Sequence, residues 1–136
     1  MCTTKIKNFQ LIEQQVNTTQ KVYNLEQNPT LQQARRIVKI EAYDSSLISV
    51  TSDDNTPIST ADLKKASLVI TDMTQKVPVQ NIPLSILRPS DVNNNYPQTV
   101  PELDLVNVPN ITKCQVVFGT APSAANYILL GVYFED

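Results

Sequence analysis

The sequence predicts an all-β fold, a single antiparallel sandwich of about eight strands. Short runs of alternating or β-branched residues recur along the chain, separated by clusters of Asp, Asn, Ser and Pro, which is the rhythm of strands and turns. No long helix is visible, and the 136 residues have the length of one domain with a real core. The charged fraction is only 18%, and the polar surface is made of Asn, Gln, Thr and Ser. Neutral amides and hydroxyls suit hydrogen-bonded contact with other subunits better than long-range electrostatic steering.

Residues 1–34 are amide-rich, with Gln14-Gln15 and Gln32-Gln33 and isolated apolar side chains at Ile6, Phe9, Leu11, Ile12, Val16, Val22, Tyr23 and Leu25. Too polar to build a core alone, the segment reads as an extended N-terminal arm that docks on a neighbouring surface, with a short strand near Gln20 to Leu25. The sandwich itself is expected over residues 35–136. It opens at Arg36 to Tyr43, where Val38, Ile40 and Ala42 alternate with Lys39 and Glu41, the pattern of a half-buried strand. Asp44-Ser45-Ser46 breaks the run and Leu47 to Thr51 resumes it, which predicts a hairpin.

Ser59 to Lys65 has the outline of a helix capping box, Ser followed three residues later by an acid. Ala66 to Asp72 is extended again, with Leu68 and Ile70 on one face. The run from Lys76 to Leu84 contains Pro78 and Pro83, which lack backbone donors and mark an edge or interrupted strand. Arg88 to Pro101, with Pro89, Pro97, Pro101 and Asn93-Asn94-Asn95, is expected as a long contact loop with Tyr96 at its tip. Three more runs follow, Glu102 to Val108, Lys113 to Phe118 and Tyr127 to Phe134. In the last, Tyr127, Leu129, Gly131 and Tyr133 face one way and Ile128, Leu130, Val132 and Phe134 the other, so both faces need cover. Antiparallel runs in this number fit a jelly roll. An immunoglobulin-like sandwich competes, against the absence of Trp and of paired cysteines at its spacing.

The residues exclude much chemistry. With no histidine, nucleophile systems that use an imidazole base and imidazole metal sites are both removed. Cys2 and Cys114 lie at opposite ends of the chain, and neither glycine-rich phosphate-binding pattern occurs. Cys114 alternates with Val116 and Phe118 and is expected in the core. Asp53, Asp54, Asn55 and Asp62 supply hard oxygens near one loop, a candidate ion site that lacks the EF-hand spacing; otherwise no cofactor or metal and no enzymatic activity is expected. Basic residues are scattered and the net charge is −2, so no direct nucleic-acid contact is expected. No signal-peptide pattern and no apolar run long enough to span a membrane is seen.

The order of segments resembles the single jelly-roll minor capsid proteins of tailless icosahedral bacteriophages with an internal lipid layer, such as the lipid-containing phages of flavobacteria. An amide-rich arm, Arg36 to Tyr43, Ala66 to Asp72, Asn81 to Leu87 and a hydrophobic C-terminal strand carry the likeness. In that family, the resemblance implies, proteins of this length form pentons at the five-fold vertices of the virion. Partners would be their own copies as a homopentamer, the major capsid protein and a vertex spike, with the lipid layer nearby. Phe9, Leu11, Ile12, Val22, Tyr23, Tyr96, Tyr133 and Phe134 are the candidate interface residues. The alternative is a receptor- or glycan-binding adhesion module.

Overall fold

The computed structural model describes residues 7–25, 36–51, 53–74, 76–77, 79–89 and 113–135. Among them are seven strands: β1 (Lys7–Gln15), β2 (Val22–Asn24), β3 (Arg36–Tyr43), β4 (Ala66–Ile70), β5 (Val79–Pro83), β6 (Gln115–Phe118) and β7 (Tyr127–Glu135). A one-turn helix, α1 (Thr60–Leu63), precedes β4, and a 3-10 turn at Leu84–Leu87 follows β5. The strands form two antiparallel sheets, a three-stranded one in the order β1-β7-β3 and a four-stranded one in the order β2-β6-β4-β5. The all-β expectation holds.

Alternation on the strands builds one core. Ala66, Leu68 and Ile70 of β4 are buried while Ser67 and Val69 are only partly so. Val116 and Phe118, Ile128, Leu130 and Val132, and Ile37, Ile40 and Ala42 enter the same cluster. Ile58, Leu63, Leu84, Leu87 and Leu25 close it, each with 0% exposure; at about 1.5–3 kcal/mol for each such side chain, burial is the main stabilising term. Cys114 belongs to this core as a fully buried thiol that donates to the Thr71 carbonyl at 3.7 Å and whose pKa burial pushes up.

Several local expectations are corrected. The segment expected as an arm is, from Lys7 to Leu25, part of the sandwich: β1 pairs with β7 from Lys7↔Glu135 to Gln15↔Tyr127, and β2 pairs with β6. Its polar composition goes with an edge position, where among the described residues only one side of the strand has a neighbour. No strand forms at Leu47 to Thr51. Instead the Asp44 carbonyl accepts from the N–H groups of Leu47 and Ile48, both at 3.0 Å, and its carboxylate accepts from Ser46 N–H at 3.1 Å, so the chain turns back on itself. In β3 a bulge between Ile37 and Lys39 puts Ile37, not Val38, into the core.

Other features agree. β5 is an edge strand, and its register slips between Leu68 and Ile70 where Asn81 takes a positive φ of 53°, a conformation Asn tolerates. Ser59 caps α1 by accepting from Asp62 N–H at 3.2 Å. The expected loop around Tyr96 and the expected strand Glu102 to Val108 lie outside the described residues.

Candidate interaction surface

Both faces of β7 are apolar by sequence, and the sandwich core covers only one. The other is covered within the sheet, by side chains that lean across Gly131. Register sets Leu11 and Glu41 beside Gly131, Phe9 and Lys39 beside Tyr133, and Glu13 and Tyr43 beside Leu129. A Cβ on Gly131 would lie 2.5 Å from the Tyr43 hydroxyl and 2.7 Å from Phe9 Cε2, so glycine is required for the two rings to close there.

The result is an aromatic patch with a buried charge inside it. Phe9 tilts against Tyr133 with ring centroids 5.0 Å apart, and Lys39 Nζ sits 5.0 Å from the centre of the Tyr133 ring, a cation–π distance. Glu41 is only 8% exposed, and Lys39 approaches it at 3.7 Å. Tyr43 and Tyr133 share hydrogen bonds with Glu41 and with each other. Burial, with the Glu41 charge behind it, pushes the Tyr43 phenol far up; the hydrogen bond to Glu41 is the first cause of the upward shift at Tyr133. Phe9 remains 50% exposed. This face can dock an apolar or cationic partner surface.

The candidate interface residues divide by position. Phe9, Leu11 and Tyr133 gather on this outer face. Phe134 points the other way and packs against the core, and Ile12 and Tyr23 are core residues at 2% and 3% exposure. The pairing of their strands into the sheets turns these three toward the core and away from the outer face. Val22 lies on the outer face of the four-stranded sheet, and Tyr96 lies outside the described residues. Gly131, Tyr43, Glu41 and Lys39 were missed, because what unites them is the β3–β7 register, which no local pattern reveals.

The four-stranded sheet offers a second, different face. Its outward positions are Val22, Val117, Ser67 and Pro83 in one row and Asn24, Gln115 and Val69 in the next, with no charge among them. Gln115 Nε2 donates to Asn24 Oδ1 at 3.0 Å across the strands. Near the end of β1, Gln14, Gln15, Val16, Asn17, Gln20, Tyr23 and Ala125 line a pocket of about 390 Å³.

The acidic residues do not assemble. Asp53 and Asp54 are exposed, whereas Asp62 is fully buried and already engaged. Its carboxylate accepts from Ser123 N–H at 3.0 Å, from Ser123 Oγ at 2.8 Å and from Lys65 Nζ at 3.0 Å. Burial alone would raise its pKa, but these donors hold it below the usual carboxylate value. Among the described residues no cluster of His, Cys, Asp and Glu could hold a metal ion, and no helix is long and apolar enough to cross a membrane. No protein-family model, curated protein or solved structure matches the chain.

Proposed function

We propose that the chain is a structural virion protein, the penton or another minor capsid protein of an icosahedral phage, and that it works by subunit packing rather than catalysis. The observation that carries this reading is the strand order. A jelly roll interleaves its strands so that the first, last and third lie side by side in one sheet and the second, next-to-last, fourth and fifth in the other. The orders β1-β7-β3 and β2-β6-β4-β5 follow that rule if one further strand falls between β5 and β6. The expected run Glu102 to Val108 occupies that interval of the sequence. Jelly rolls are the recurrent building unit of viral shells.

Two surfaces support the packing role, the aromatic face over Gly131 and the uncharged face of the four-stranded sheet. The partners proposed are further copies of the chain, the major capsid protein and a vertex spike, with no direct nucleic-acid contact and with the lipid layer nearby. Mass spectrometry of purified particles tests the proposal. The chain should be present at low, fixed copy number relative to the major capsid protein; a strictly monomeric protein missing from particles overturns it.

A second reading, a glycan-binding adhesion module, has one observation in its favour. The amide-lined pocket beside Tyr23 presents the donors and acceptors that recognise sugar hydroxyls. A glycan array with the intact protein separates the two readings: binding abolished by Gln14→Ala and Gln20→Ala favours adhesion, and silence on the array removes it.

A further inference from the structure

β1 lies at the edge of its sheet, and among the described residues no strand pairs with its other side. Val16 N–H donates to the Asn126 carbonyl at 2.9 Å, one step beyond the Gln15↔Tyr127 pair. In an antiparallel ladder such bonded positions alternate, so the even-numbered residues of β1 bond to β7. The odd-numbered ones, Phe9, Leu11, Glu13 and Gln15, therefore turn their backbone groups toward the free edge. Two side chains agree: Gln10 Nε2 donates to the Leu11 carbonyl at 3.4 Å and Gln14 Nε2 to the Gln15 carbonyl at 3.1 Å. This edge runs for 9 residues without a proline. A long open edge is a template for another strand unless it is covered.

We propose that the cover is β1 of a second copy, paired antiparallel about a two-fold axis at Gln10. Edge-facing residues must pair with edge-facing residues, and charge complementarity selects among the registers that satisfy this. Centring on Gln10 sets Phe9 opposite Leu11 and Lys7 opposite Glu13, each twice by symmetry. Glu13 is the residue with most to gain, since its Oε1 is shielded from solvent and has no hydrogen-bond donor. A half-desolvated carboxylate is stabilised by a cation alongside it. Centring on Leu11 instead sets Phe9 against Glu13 and leaves that charge without a counter-ion. The Gln10 register joins two three-stranded sheets into one continuous sheet across an isologous contact. It also extends the aromatic row of Phe9 and Tyr133 with the second copy's Leu11.

The inference stands apart from the virion reading, because it is a property of the strand edge. A two-fold contact does not close a five-fold ring, so a ring would have to use other faces. Native mass spectrometry and sedimentation of the full chain test the contact through charge exchange. The wild-type chain forms a dimer. K7E and E13K each set like charges together at both ends of the contact and weaken association by at least about tenfold. Mixing K7E with E13K restores a dimer holding one of each. A wild-type chain that stays monomeric at high concentration overturns the proposal, as does a folded E13K that dimerises like wild type or a folded pair that fails to associate. If either charge variant fails to fold, Q10C in a Cys2→Ser background decides. Residues facing each other in a non-hydrogen-bonded pair have Cα atoms about 4.5 Å apart, within disulfide reach. Oxidation should therefore link Q10C but not Q14C into dimers, and failure of Q10C to cross-link overturns the proposal.

Discussion

Asp62 and Asp44 are buried carboxylates, each at 0% exposure, that tie separate parts of the chain together. Asp62 joins α1 to Ser123, and Asp44 joins the turn after β3 to Arg88 at 2.7 Å. For Asp44, burial would raise the pKa, while Ser46, Arg88 and Thr60 hold it below its ordinary value of 3.8. Replacing Asp62 by Ala removes charge-assisted hydrogen bonds to Ser123 and Lys65 and should cost about 2–4 kcal/mol in urea unfolding. Both folded-state values lie below the unfolded ones, so this stabilisation is complete above the unfolded pKa and is lost as pH falls through the folded values. Denaturation midpoints measured downward from about pH 5 should therefore drop, and D62N should flatten part of that drop. At the alkaline end the sign reverses: Tyr43 and Tyr133 keep their protons in the folded state beyond the ordinary value of 10.0, so stability should fall as pH rises above it. Gly131→Ala pushes a methyl against Tyr43 and Phe9 and should destabilise by about 1–3 kcal/mol in the same assay.

β1 and β7 show what the sequence makes legible among the elements and what it does not. The two-faced character of β7 is plain from Tyr127 to Phe134, because every position is apolar or glycine. Its second cover is not plain, since Tyr43 and Phe9 reach Gly131 from strands far away in sequence. β5 was readable as an edge from its prolines, and the Ser59 cap from its spacing. β1 was not readable as a strand. The adjacent apolar residues Leu11 and Ile12 interrupt its alternation, and one face packs on the core while the other packs on Tyr133. Leu47 and Ile48 have strand-forming side chains, but Asp44 uses its carbonyl and carboxylate to hold a turn there. Because β1 supplies Ile12 to the core and Phe9 to the outer face, deleting residues 1–15 should abolish cooperative thermal unfolding followed by circular dichroism. A truncated chain that melts like the full one would make β1 a dispensable arm.

The molecule is a sandwich whose two outer faces differ in chemistry, one aromatic with a buried carboxylate and one whose outward strand positions, among the described residues, carry no charge. The proposed shell role rests on these faces as contact surfaces and on a strand order that would match a jelly roll if a further strand lies between β5 and β6. The candidate surface was half legible: Phe9, Leu11 and Tyr133 were found from exposure-prone aromatic and aliphatic residues, while Glu41, Lys39 and Tyr43 required the register of β3 on β7. A reconstruction at side-chain resolution of the particle containing this chain tests the central claim most directly. The proposed role predicts the chain in the shell as a jelly roll, with Phe9, Leu11 and Tyr133 or the uncharged face covered by a protein neighbour. A shell in which the chain is missing, or in which both faces are bare, would contradict it.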